Sequence, residues 1–212
     1  MNGFENIPIT LPSSSSFPSG RNRDLLLERK AKEILTHYGF HEVINYSFVS
    51  PASSAIIPNL EDERRRHLRI LNPLTEEFSV MRTTLVPGLL ETVRYNLSRK
   101  NTDIRIFELG RVFLLVQRER LPEELRYLVG VASGSVAELH WASQPRPFDF
   151  HDMRGCVEAL LDALQIQGVS FDRTEEVPYL HPGRAARLSV NGEAMGVFGE
   201  IHPEVQNRYD IP

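Results

Sequence analysis

Apolar positions along this chain change period several times, and the changes divide it into elements. Leu27, Ala31, Ile34, Leu35 and Tyr38 fall at i, i+4, i+7, i+8 and i+11. That is one stripe of an α-helix, which begins near Arg21 and is closed by Gly39. Leu25 and Leu26 lie partly off the stripe, so the helix start carries more apolar surface than one buried face needs. HEVINYSFV, from His41 to Val49, then alternates with period two and predicts a strand, with Val43, Asn45 and Ser47 on one face and Ile44, Tyr46 and Phe48 on the other. SPASSAIIP predicts a short helix capped by Ser50 with Pro51 in its first position. HLRILNP and FSVMRTT predict two short strands. Leu85 to Lys100 predicts a helix with Pro87 in its first turn and a stripe of Leu89, Leu90, Val93 and Leu97. Arg94, Arg99 and Lys100 crowd its C-terminal half, where the helix dipole favours cations.

The second half is richer in strands. IRIFELGRVFLL, Ile104 to Leu115, is one long strand interrupted by Arg105, Glu108 and Arg111. RYLVGVASG, Arg126 to Gly134, is an apolar partner for it. FHDMRGCVEALLDALQI predicts a helix with His151 or Asp152 near its start and a stripe of Val157, Leu160, Leu161 and Leu164. AARLSVNGEAMGVFGEI is two alternating strands joined by Asn191-Gly192, a strong type I′ hairpin signal. His202-Pro203-Glu204 opens a terminal helix. Strands sit beside hairpins and helices do not alternate regularly with them. The expected class is therefore α+β, a mostly antiparallel sheet flanked by helices. The prolines and serine run of Phe4–Gly20 exclude a regular helix, so residues 1–20 are expected to be a linker or the tail of a preceding domain, and 21–212 the folded module.

Composition narrows the functions. The chain has 212 residues and is 41% hydrophobic, enough for one sizeable core. Its net charge of -4 gives no global basic field for nucleic acid. The run EDERRRHLRI holds both signs and reads as a solvated connection ahead of a nucleic-acid patch. Only Lys30, Lys32 and Lys100 are lysines, so most cations are arginines, which suit fixed planar pairing. Cys156 is the only cysteine, which excludes an internal disulfide and fits a reducing cytosol. No apolar run reaches transmembrane length and no signal peptide is evident, so a cytoplasmic protein with no membrane partner is expected.

Residue types alone reveal no site. There is no phosphate-binding glycine loop, because Gly196 and Gly199 lie inside a predicted strand, and no Ser stands in a G-x-S-x-G elbow. His37 and His41 lack a third metal ligand and read as surface histidines. His181 lies in LHPGR, which reads as a Pro-Gly turn, and Cys156 reads as a small buried hydrophobe. Neither catalytic, cofactor-binding nor metal-binding residues are assigned.

NPLTEEFSVMRTTLVPGLLETVRYNLSRKNTDIRIFELGRVF, GFHEVINYSF, FHDMRGCVEALLDAL and YLHPGRAARLSVNGEAMGVFGEIHPEV together resemble the bacterial phenylalanyl-tRNA synthetase β-subunit family. These blocks occur in order with short gaps. The resemblance implies a class II aminoacyl-tRNA synthetase-like module, with GRVF (Gly110 to Phe113) leading into the position of class II motif 2. In catalytic relatives motif 2 supplies an Arg and a Glu that hold the ATP α-phosphate, where a fixed cation must neutralise developing charge. Here Leu128 to Gly134 carries no charged residue, and the motif 1 proline is replaced within INYSF. The resemblance thus implies a non-catalytic scaffold that packs on the catalytic α subunit of an (αβ)2 phenylalanine-tRNA ligase, with a second β subunit and tRNA as further partners. ATP and Mg2+ belong to that holoenzyme and are not expected on this module. Motif 1 helices form the subunit bundle in the family, which implies Leu25, Leu26 and Arg29 as interface positions. A stand-alone class II-like enzyme, or a tRNA-binding module using Arg94, Arg99, Lys100 and Arg64 to Arg66, are the alternatives. Glu108 shares a strand face with Ile104, Ile106 and Val112, so burial there requires a partner. A structural pair of Glu108 with Arg82 or Arg111 is expected.

Overall fold

The structure is a computed structural model and describes residues 10, 22–56, 62–115, 121–137, 141 and 144–212. Apart from Thr10, the expected linker over 1–20 lies outside the described residues. Helix α1 spans Arg23–His37, with the Asn22 side chain accepting the Asp24 N–H at 3.0 Å as N-cap. It ends at Gly39, whose φ of +80° turns the chain so that the Phe40 N–H reaches the Leu35 carbonyl at 3.0 Å. Only Ala31 and Leu35 of its predicted stripe are buried, while Leu27 and Tyr38 are exposed. The reason is that the core of Phe40, Phe107 and Cys156 meets the helix at Leu35, in its C-terminal half.

The predicted strand over 41–49 breaks into two short pieces, β1 (His41–Glu42) and β2 (Phe48–Val49). Between them the Asn45 amide turns inward to bond Glu108 at 2.8 Å, which removes the segment from the sheet register. The Ser50 cap is present, with its hydroxyl accepting the Ala52 N–H at 3.2 Å, and the helix it opens is a 3-10 turn over Pro51–Ile56. The two short strands predicted after it reduce to an isolated Arg69–Val80 bridge and β3 (Val80–Met81). Helix α2 (Val86–Leu97) buries Leu89, Leu90 and Val93 against the sheet. Each such side chain contributes about 1.5–3 kcal/mol through burial.

β4 (Ile104–Leu114) and β5 (Glu123–Ser133) pair antiparallel along their whole length, and β1 joins the other edge of β4 in parallel. β2 and β3 form a separate two-stranded ribbon. A third sheet comprises β6 (Val169–Arg173), β7 (Leu180–Val190) and β8 (Glu193–Ile201), all antiparallel. The single sheet expected from the alternation is thus three among the described residues. LHPGR, expected as a turn, is the start of β7, where a register shift between Leu180 and Ala185 accommodates Pro182 and Gly183. Asn191 and Gly192 both have positive φ, 51° and 85°, as a type I′ turn requires. Helix α4 (Pro203–Tyr209) follows with His202 as N-cap.

Helix α3 (Phe150–Ala163) begins with a reciprocal capping box in which Asp149 accepts the Asp152 N–H at 3.1 Å and Asp152 accepts the Asp149 N–H at 2.9 Å. Arg146 also donates two hydrogen bonds of 2.6 Å to the Asp152 carboxylate, and this pairing lowers its pKa from the ordinary 3.8 to about 2. The folded state therefore holds Asp152 ionised when the unfolded chain would protonate it. That contribution is complete above pH 4 and is lost as pH falls toward 2. Thermal melts between pH 5 and pH 2 should show this loss in the native protein, with a smaller pH dependence in Asp152→Asn.

Candidate functional site

The charges of β4 lie on two faces and do different things. On the face toward α2, Glu108 is buried at 3% exposure and pairs with Arg82, 7% exposed, at 2.6 Å. Arg82 also donates through Nε to the Arg111 carbonyl at 2.9 Å. The second Glu108 oxygen accepts the Asn45 amide at 2.8 Å, and the Thr92 hydroxyl donates to Asn45 Oδ1 at 3.0 Å. One network therefore joins β4, the segment between β1 and β2, the approach to α2 and α2 itself. Space beside it is tight at two glycines. A Cβ on Gly110 would collide with Arg82 Nη2, and one on Gly88 would lie 3.2 Å from Asn45 Cβ. Of the two arginines expected to serve Glu108, Arg82 does, whereas Arg111 bonds Glu124 at 2.7 Å on the surface.

The opposite face has Arg105, Phe107 and Arg111 on β4 and Arg126, Leu128, Gly130 and Ala132 on β5. Its centre is packed by Phe40, Phe107, Leu35 and Cys156, and the Phe40 ring lies over Gly130, where a Cβ would be 3.5 Å from Cε1. Burial raises the pKa of the Cys156 thiol, keeping it in its neutral form. Each arginine here is engaged. Arg105 donates to the Tyr38 carbonyl at 3.3 Å, the Ser135 carbonyl at 3.1 Å and the Val136 carbonyl. Arg111 holds Glu124, and Arg126 holds Glu28 of α1. The phosphates of a nucleotide placed on this face would have to displace one of these contacts. Among the described residues, no three His, Cys, Asp or Glu side chains converge as a metal site, and both His37 and His41 are exposed.

Among the described residues apolar side chains are exposed at several places, two of them on α1 and on the segment between β1 and β2. Leu25, Leu26 and Leu27 are 59%, 43% and 44% exposed on consecutive positions of α1. Arg29, beside them, is exposed and pairs with Glu33 one turn on, at 2.7 Å. The second surface is the outward set of the alternating segment, Ile44 at 90% and Tyr46 at 77% exposure, with Phe48. Phe78 packs edge-on against Tyr46 with ring centroids 5.9 Å apart. Sequence reasoning assigned Leu25, Leu26 and Arg29 to an interface but treated 43–48 only as a strand. Alternation was the available signal for the second surface, and it does not say which of the two faces is buried.

A family model described as the phenylalanyl tRNA synthetase beta chain CLM domain matches residues 7–212. Phenylalanine--tRNA ligase beta subunits of Geobacter sulfurreducens and Syntrophus aciditrophicus are 37% and 38% identical over 212 residues, covering 100% of this chain and 26% of each relative. That of Symbiobacterium thermophilum is 40% identical, covering 99% of this chain and 24% of the relative. The chain spans about a quarter of the length of these relatives. Two pyrrolysyl-tRNA synthetase structures from Desulfitobacterium hafniense superpose with TM-scores of 0.67 and 0.68. They are 16% and 18% identical, and the match covers 91% of this chain and 63% and 64% of theirs. They show that the fold is that of a class II aminoacyl-tRNA synthetase.

Replacing Glu108 with Gln leaves the buried Arg82 guanidinium without its counter-charge. Removing one member of such a pair costs about 3–5 kcal/mol. Urea unfolding of Glu108→Gln should give a midpoint well below that of the native chain. An unchanged midpoint would contradict a structural role for the pair.

Proposed function

The chain belongs to the phenylalanyl-tRNA synthetase β-chain family, and from that membership we propose that it is a non-catalytic scaffold module of a phenylalanine-tRNA ligase. In this reading it packs on the catalytic α subunit of an (αβ)2 enzyme in the cytoplasm. The holoenzyme joins phenylalanine to its tRNA using ATP and Mg2+, and this module binds neither. The observation that carries the reading is the face of β4 and β5 opposite α2. Its centre is packed with Phe40 and Phe107, and Arg105, Arg111 and Arg126 are each tied to a carbonyl or carboxylate of the same chain. Transition-state stabilisation at a phosphate needs cations aimed into open space where charge develops. This face offers packing in place of such a cleft, so it supports neighbours without binding substrate.

The exposed leucines of α1 supply the surface for packing. Three adjacent apolar side chains on a helix are anchors suited to another helix, burying the area that water now covers. Arg29 sits at the rim of this surface, where its exposed pair with Glu33 contributes little to binding.

The intact β subunit carrying Leu25→Glu and Leu26→Glu should lose co-elution with the α subunit, with an affinity reduced about tenfold or more, as expected when central apolar anchors are removed. Arg29→Ala should have a smaller effect. Undiminished co-elution of the double variant would refute the α1 interface. Calorimetry of this chain with ATP or phenylalanine should give no binding heat, and binding of either would refute the scaffold reading in favour of an enzyme.

A further inference from the structure

Most arginines on this surface are matched by carboxylates of the same chain, as in the pairs Arg94–Glu91, Arg154–Glu158, Arg173–Glu175 and Arg184–Glu200. Those at the C-terminal end of α2 are not, as Arg66, Arg69 and Arg208 elsewhere among the described residues are not. Among the described residues neither Arg99 nor Lys100 has a carboxylate partner, although the chain as a whole is acidic with a net charge of -4. The Arg99 guanidinium lies 3.5 Å from the centroid of the exposed Tyr95 ring, which holds it in one place at the surface. Lys100 has a φ of +67° and follows the last turn of the helix, with its N–H donating to the Leu97 carbonyl at 2.9 Å. Gly or Asn is the less strained choice at such a position. Gln165 and Asp210 take the same conformation after α3 and α4, so the position tolerates residues other than glycine.

Beside these cations runs a groove of about 520 Å3, lined by His41, Asn96, Lys100, Asn101, Thr102 and Arg105 among others. Its walls combine these polar groups with Val43, Ile104 and Ile106, and Arg105 is already bonded to carbonyls of its own chain. Asp103 is the acidic lining residue, and its carboxylate already accepts the Ser135 N–H at 2.7 Å. The combination is an exposed guanidinium held on an aromatic ring, an ammonium with no carboxylate partner among the described residues, and a groove of mixed polar and apolar walls. It matches a phosphodiester strand, whose phosphates take Lys and Arg and whose bases stack on guanidinium or aromatic planes.

We infer that the end of α2 and the adjoining groove form a contact for the backbone of tRNA. This rests on the reading of the chain as part of a tRNA-ligating enzyme. Arg99 and Lys100 meet phosphates, and the Tyr95–Arg99 stack receives a base or ribose. Nothing in this contact takes part in amino-acid activation.

The test uses the reconstituted αβ enzyme and its phenylalanine tRNA. The β-subunit variants are Arg99→Gln and Lys100→Gly, alone and combined. Lys100→Gly removes the charge while supplying the residue that suits the backbone best, so a binding loss cannot be blamed on misfolding. The double variant should bind tRNA about three- to tenfold more weakly near 0.1 M salt. The slope of log affinity against log salt should fall by about 0.7–0.9 for each cation removed. Phenylalanine-dependent ATP–pyrophosphate exchange should be unchanged. If the native complex charges tRNA and the variants match it in affinity and salt slope, the tRNA contact is wrong and the scaffold reading stands. A parallel fall in exchange activity also overturns it, because the residues would then act on the fold. A native mixture that neither assembles nor charges tRNA refutes the scaffold reading, and the contact fails with it.

Discussion

The Arg82–Glu108 pair is the constraint around which the central part of the molecule is arranged. A buried carboxylate is costly unless its charge is met and its lone pairs are filled. Here one oxygen takes Arg82 and the other takes Asn45. Arg82 is in turn bonded to the Arg111 carbonyl, and its own backbone carbonyl accepts the Phe113 N–H at 3.0 Å. These bonds fix where the 43–47 segment crosses the sheet and where α2 begins. They also explain two glycines, since the guanidinium occupies the space over Gly110 and the Asn45 amide that over Gly88.

The same requirement, that each cation have a fixed partner, governs the other face of the sheet. Arg105 clamps three carbonyls from the end of α1 and from the chain following β5. Arg126 ties β5 to α1 through Glu28. The effect is a rigid slab with an apolar centre, against which α1 and α3 rest. Such a slab suits a part that holds neighbours in place. Its open apolar surfaces, at Leu25 to Leu27 and at Ile44, Tyr46 and Phe48, are where neighbours have area to cover. Arg99 and Lys100, which have no carboxylate partner among the described residues, lie at the far end of α2, on separate elements from these surfaces.

Long periodic segments were legible from residue order. The stripe of Leu89, Leu90 and Val93 identifies α2 and its buried face, and Asn191-Gly192 identifies the β7–β8 hairpin, because both signals are local. Short strands were not. HLRILNP and FSVMRTT contribute only a bridge and β3, because a two-residue pairing depends on a distant partner. β6 is not legible for a related reason, since VSFDR gains its strand character from pairing with β7. LHPGR reads as a turn through Pro and Gly, yet neighbouring β8 draws it into a bulged strand. At the candidate interface Leu25 and Leu26 were legible as surplus on a stripe. The exposure of Leu27, Tyr38 and Ile44 was not, because periodicity marks which positions share a face and is silent on what that face meets.

By itself the sequence determined the family, the α+β class, the helices and the absence of charge along Leu128 to Gly134. It also determined that Glu108, on an apolar strand face, needed an arginine. Only the tertiary structure brought Arg82 to it. Arg82 and Arg111 are both close to β4, but they stand on different sides of it. Arg111 is itself on the strand, three residues from Glu108, so alternation places its side chain on the opposite face. Arg82 arrives from the turn before α2, on the face where Glu108 is buried. From residue order alone, alternation thus turns Arg111 away from Glu108, whereas the arrival of Arg82 at Glu108 is set by how the chain returns to the sheet, which residue order does not encode locally.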